Sequence, residues 1–175
     1  MTRLVAFLRG VNLGSRHVLP MADVRAVFGA ERATDVATML NSGNVVFTHS
    51  ARAGTALEQR LARALEEHAG FVVPVMLRTP AQLQAVLDGN PFPKAPTKQV
   101  HVTFLAKKPA ASAVAAIGDG GCAPEAFVVA GREVYLFLPN GMGKAKLPSK
   151  LDALRTPSTT RTWQTVTKLL TMARG

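Results

Sequence analysis

Two short segments rich in glycine and asparagine hold the first residues able to do chemistry. Arg9-Gly10-Val11-Asn12-Leu13-Gly14 follows an apolar run, and Asn41-Ser42-Gly43-Asn44 sits between two others. Glycine lets backbone amides approach a ligand, and arginine can grip an oxyanion with paired hydrogen bonds. Arg9, Gly10, Asn12, Gly14, Ser42, Gly43 and Asn44 are therefore candidate ligand contacts. The same residues also suit plain tight turns, where glycine and asparagine supply positive φ. A second segment, Pro139–Leu147, sets Gly141, Gly143, Lys144 and Lys146 ahead of a helical stretch, as a phosphate cradle would. It is not a Walker loop, because Ala145 stands where a hydroxyl would hold magnesium, and it lacks the third glycine of a dinucleotide fingerprint. A third segment, Ser158-Thr159-Thr160-Arg161-Thr162-Trp163, reads as a helix N-cap with Arg161 in the first turn. A cation there opposes the helix dipole unless an anion compensates it. Lys144, Lys146 and Arg161 complete the candidate set.

Other chemistries find no support. His17, His49, His68 and His101 show no metal-ligand spacing, and no GxSxG elbow is present. Glu66 and Glu67 are adjacent, so they point to different faces of their helix. Cys122 has no basic neighbour to lower its pKa, and a single cysteine forms no internal disulfide. The sequence thus names no catalytic residue, no metal site and no cofactor. It leaves open whether the protein is an enzyme.

The elements that must position these residues follow from periodicity. Leu4–Leu8 reads as a buried strand, and Met21, Val24, Val27 and Phe28 repeat at helical spacing after Pro20. Val36–Leu40 and Val45–His49 form a hairpin around Asn41–Asn44. Thr55–His68 is a helix with a Thr55/Glu58 capping box, and Val72–Arg78 is an edge strand marked by Pro74. The order βαββαβ predicts a ferredoxin-like sheet whose first strand is interior, which brings residues 9–14 beside 41–44. Phe7 and Phe47 on such a sheet could stack RNA bases, but no RNP consensus accompanies them, and burial is expected.

The second half reads as a partial repeat: strand Val100–Ala106, helix Ala110–Ile117, strands Ala126–Val129 and Glu133–Leu138, then helices Pro148–Leu154 and Trp163–Ala173. The expected fold class is α+β with two small subdomains. The first is βαββαβ over residues 1–87, including a trailing helix. Residues 88–98 form a proline-rich linker, and residues 99–175 form βαββα with extra basic C-terminal helices. A composite site would join the 9–14 loop to Lys144, Lys146 and Arg161.

The chain has 175 residues, 47% hydrophobic and 18% charged, and a net charge of +10. That composition is globular, and no apolar run is long enough to span a bilayer. The opening residues lack a signal-peptide cleavage site, and cysteine usage fits a reducing cytoplasm. All eight lysines lie at or after Lys94. Such a field attracts polyanions and phosphorylated ligands.

Leu4–Met21 and Thr38–Phe47, with Leu136–Leu147 and Thr159–Leu169, resemble a widespread bacterial family known as domain of unknown function 1697. Ser15, Ala145, Thr162 and Gln164 depart from its usual residues. The resemblance implies a cytoplasmic bacterial α+β protein and brings no activity, substrate or cofactor. Three functions stay open on sequence. The first is a binding module for an anionic ligand, either nucleic acid or a phosphorylated small molecule. The second is a metal-independent enzyme acting on a small phosphorylated metabolite in an inter-subdomain cleft. The third is a ligand-free protein-interaction domain.

Overall fold

A computed structural model describes all residues, Met1–Gly175. The chain is mixed α and β, with two four-stranded antiparallel sheets and six α-helices. It divides into two units: Met1–Ala85 with Lys168–Gly175, and Val86–Thr167. The stretch 88–98, expected as a linker, falls inside the second unit.

The first unit runs β1 (Thr2–Leu8), α1 (Met21–Ala30), β2 (Thr34–Met39), β3 (Asn44–His49), α2 (Thr55–Ala69), β4 (Val75–Arg78) and most of α3 (Pro80–Asp88). Its sheet order is β2-β3-β1-β4, so β1 is interior. Leu4 to Leu8 are all fully buried, which explains a continuous apolar run where a half-exposed strand would alternate. Leu4, Ala6, Leu8, Val45, Phe47, Val75 and Leu77 form one core with Val24, Val27 and Phe28 of α1 and Leu57, Leu61 and Leu65 of α2. Phe28 meets Phe47 edge-to-face at 5.0 Å. Both Phe7 and Phe47 are fully buried, so neither ring is available for base stacking.

Two expectations in this unit need correction. Gly54, not Thr55, precedes α2, and no side chain caps that helix. Glu58 is instead buried, and its Oε1 accepts the Leu77 N–H of β4 at 2.8 Å. A buried carboxylate takes the donor that satisfies it, and here that donor belongs to the neighbouring strand.

The second unit contains β5 (Val100–Leu105), α4 (Ala111–Ile117), β6 (Ala126–Ala130), β7 (Glu133–Phe137), α5 (Leu147–Lys150), β8 (Ser158–Thr162) and the start of α6 (Trp163–Arg174). Short 3-10 turns cover Thr97–Gln99, Met142–Lys144 and Leu151–Leu154. The sheet order is β6-β7-β5-β8. The expected βαββα reading misses a strand: Ser158–Thr162 pairs with β5 in register from Leu105↔Ser158 to His101↔Thr162. Arg161 therefore lies in this strand and not in a first helical turn. Thr162 is the residue that caps α6, its Oγ1 accepting the Thr165 N–H at 3.2 Å. The core of this unit joins Leu105, Val134, Leu136 and Leu138 to Leu147, Leu151 and Leu154, with Val114, Ile117, Phe127 and Val129 at its rim.

Candidate functional site

The β1 register places Phe7 opposite Asn44, and the Leu8 N–H donates to the Gly43 carbonyl at 2.8 Å. Loops 9–14 and 41–44 therefore meet at one end of the first sheet. Asn12, at φ +54°, clasps both sides of this junction. Its Nδ2 donates to the carbonyls of Leu19 (2.9 Å) and Asn41 (2.7 Å), and its Oδ1 accepts the Leu19 N–H at 2.8 Å. Asn44 is fully buried, its Nδ2 donating to the Met39 carbonyl and to Ser42 Oγ. A Cβ on Gly43 would lie 2.6 Å from Leu8 Cβ and 2.8 Å from Val11 Cγ2, so that glycine serves close packing. Gly10 and Gly14 have open space around them, and Arg9 is exposed. Arg9 and Gly14 thus face solvent and Gly10 is half-buried, while Asn12, Gly43 and Asn44 are engaged in building the loops.

In the second unit, Lys144 and Lys146 are exposed. The backbone amides beside them already have an anion. Glu125 accepts the Lys146 N–H with both carboxylate oxygens at 3.1 Å, and its Oε2 accepts the Leu147 N–H at 2.8 Å. Arg161 is 8% exposed, and burial lowers its guanidinium pKa from the ordinary value to about 10. Its Nη1 donates to Thr159 Oγ1 at 2.5 Å and to the Thr160 carbonyl at 2.9 Å.

A different cluster forms an open cleft of about 770 Å³ lined by Lys107, Lys108, Pro109, Ser112, Leu154 and Arg155. The β5–β8 pairing assembles it. Beyond Leu105, the Ala106 N–H donates to the Pro157 carbonyl at 2.8 Å, and the Lys107 N–H donates to Thr156 Oγ1 at 3.3 Å. Lys107 and Lys108 are thereby drawn to Arg155, and all three are exposed. Arg155 holds φ +52°, a conformation that strains a side-chain-bearing residue. No acidic residue lines the cleft. Sequence reasoning missed this cluster because it missed β8. The adjacent lysines before Pro109 were the visible half of the signal.

The remaining candidates are accounted for locally. Cys122 donates its thiol to the Gly120 carbonyl at 3.1 Å. His17 stacks on Phe71 at 4.5 Å, and His68 lies 3.2 Å from Asp23. His101 is 5% exposed with its Nδ1 unpartnered. Burial holds its pKa below the ordinary 6.5, against a smaller opposing effect from a Gln99 backbone hydrogen bond. Trp163 is half-buried and lines a hollow with Thr97, Lys98, Gln164 and Thr167. No group of three His, Cys, Asp or Glu side chains is placed to hold a metal ion. No helix is long and apolar enough to cross a membrane.

A family model described as "Protein of unknown function (DUF1697)" matches residues 1–135. The two later segments noted for their resemblance, Leu136–Leu147 and Thr159–Leu169, lie beyond that match. No curated protein matches by sequence. Among solved structures, a conserved bacterial protein, SP0830, from Streptococcus pneumoniae is similar over 100% of this chain and 99% of its own, with a TM-score of 0.80 and 20% identity. That likeness is one of fold.

Proposed function

The chain belongs to the DUF1697 family of proteins of unknown function, and from its surface chemistry we propose that it is a binding module for an anionic ligand. One observation carries this reading. Lys107, Lys108 and Arg155 converge on a cleft with no acidic side chain in its lining, and none of the three forms an ion pair. Three like charges gathered without a counter-charge repel one another, and a bound anion relieves that repulsion. The cleft volume, about 770 Å³, is in the range of small-molecule sites. A phosphorylated small molecule is the ligand class we favour. Arg155 can bind a phosphate with two parallel hydrogen bonds, while the lysines act as point charges. Arg9 and Gly14, with half-buried Gly10 beside them, remain a second donor group in the first unit, and Lys144 and Lys146 add to the field of the second.

Nucleic acid is the second reading, supported by the placement of every lysine at or after Lys94. The two readings differ in salt dependence. A polyanion releases counterions, so its affinity falls steeply as salt rises, while a small anion shows a shallower slope. Thermal shift with inorganic pyrophosphate, sugar phosphates and oligonucleotides at two salt concentrations separates them. Pyrophosphate or a sugar phosphate should stabilise the wild type. Arg155→Ala should weaken that binding about tenfold, consistent with roughly 1.5 kcal/mol for a charge-assisted hydrogen bond. Lys107→Ala and Lys108→Ala should each weaken it by about threefold or more. Equal affinity in Arg155→Ala and the wild type would remove the cleft from the proposal.

A further inference from the structure

The two sheets have four edge strands, β2, β4, β6 and β8. Three of them are either broken by a bulge or have outward-facing peptide groups taken by side chains. On β2, a bulge breaks the register between Thr34 and Ala37, and Arg3 donates to the Asp35 carbonyl within it at 3.0 Å. On β4, Glu58 accepts the Leu77 N–H and Arg78 donates to the Leu77 carbonyl, each at 2.8 Å. On β8, Arg161 donates to the Thr160 carbonyl at 2.9 Å. Such devices block the addition of another strand.

β6 has none of them. Its sequence, Ala-Phe-Val-Val-Ala, contains no charge and no proline, and its five residues pair with β7 without a register break. The Leu105 N–H donates to the Arg132 carbonyl, so Val134 and Leu136 turn their backbone groups toward β5. Glu133, Tyr135 and Phe137 then bond to Ala130, Val128 and Ala126. Phe127 and Val129 are left with N–H and C=O directed away from the sheet, and no partner takes them. Val128 between them is 39% exposed.

We propose that the free edge of β6 docks an extended acidic peptide from a partner protein, which adds to the sheet as a fifth strand. The chemistry of the edge selects this occupant. Val129 lines a shallow hollow of about 490 Å³ with Val114, Ala111, Ala115, Gly131 and Lys108. A residue paired opposite Val129 projects to the same face, so its apolar side chain enters that hollow. Lys108 stands over the hollow, and no acidic residue lines it. A second copy of this chain would bring another net charge of +10 to the same place, whereas an acidic segment is complementary.

The test is residue-resolved amide hydrogen exchange on the full chain. The probes are a blocked heptapeptide alternating glutamate and valine, its lysine–valine counterpart, and the glutamate peptide with a central proline. In the free protein, Phe127 and Val129 amides should exchange fast. The glutamate peptide should slow both at least tenfold, and the lysine and proline peptides should not. In Val129→Pro, which removes an outward N–H and keeps the β7 ladder, that protection should vanish at Phe127 as well. The proposal is overturned if the glutamate peptide leaves both amides unprotected, even if it binds at the Arg155 cleft. It is likewise overturned if the lysine peptide protects them equally, or if protection in the free protein rises with its own concentration, which would make a second copy the occupant.

Discussion

Gly43 shows how a residue type chosen for ligand access on sequence grounds can serve packing instead. Its φ of +80° and the 2.6 Å approach of Leu8 to any added Cβ leave room for glycine alone. Gly43→Ala should destabilise the chain by about 3 kcal/mol, since left-handed strain and overpacking add. Gly14→Ala, at φ +60° with nothing near its Cβ position, should cost only about 1 kcal/mol. Urea unfolding of the two variants checks this, and equal losses would refute the packing argument. Asn12 and Asn44 are comparable cases. A sequence shows that an asparagine is present but not that its amide is spent on Leu19 and Asn41, or on Met39 and Ser42. Arg155 is the opposite case. Nothing around it in sequence marks it, and its place in the proposed site comes from sharing a cleft with Lys107 and Lys108, far away along the chain.

At the scale of elements, legibility followed apolar periodicity. β1 and β3 are built around the apolar runs Leu4–Leu8 and Val45–Phe47, and α1 and α2 carry stripes at helical spacing, so each could be read directly. β8 could not. Ser158–Thr162 has no apolar residue, and hydroxyls before a helix look like a cap. Its strand character depends on partners, including the Thr103–Thr160 hydroxyl contact at 2.8 Å across β5 and β8. The glycine–lysine segment shows a further limit: its amides at Lys146 and Leu147 are oriented for an anion, but Glu125 supplies it. Glu125→Ala should therefore loosen the start of α5 and cost about 1–3 kcal/mol, because two amides lose their acceptor. Glu125→Gln, which retains one acceptor oxygen, should cost less. Calorimetry of both variants, with and without inorganic phosphate, is the check. Phosphate should stabilise Glu125→Ala more than it stabilises the wild type, and an unchanged melting temperature in Glu125→Ala would show that the carboxylate is dispensable.

For the molecule as a whole, pH acts through a buried base. His101 has a folded pKa below the unfolded 6.5. The unfolded state therefore binds the proton first, and stability rises with pH across that interval. Its contribution is complete above pH 6.5 and is lost progressively as the pH falls toward the folded value. His101→Leu removes this dependence, so the wild type should lose stability relative to that variant as the solution is acidified below 6.5. Parallel stability profiles for the two proteins would contradict the assignment.

The partition of the chain has a further consequence for how the protein is made. Helix α6 contributes Trp163–Thr167 to one unit and Lys168–Arg174 to the other. The unit begun by Met1 is therefore discontinuous, and Leu169, Leu170 and Ala173 are among its buried residues. During synthesis from the N-terminus, Val86–Thr167 emerges as one uninterrupted stretch, while the first unit waits for residues beyond Lys168. The part translated first is thus the part completed last. Until then its apolar surface has to be tolerated by the nascent chain or shielded by a chaperone.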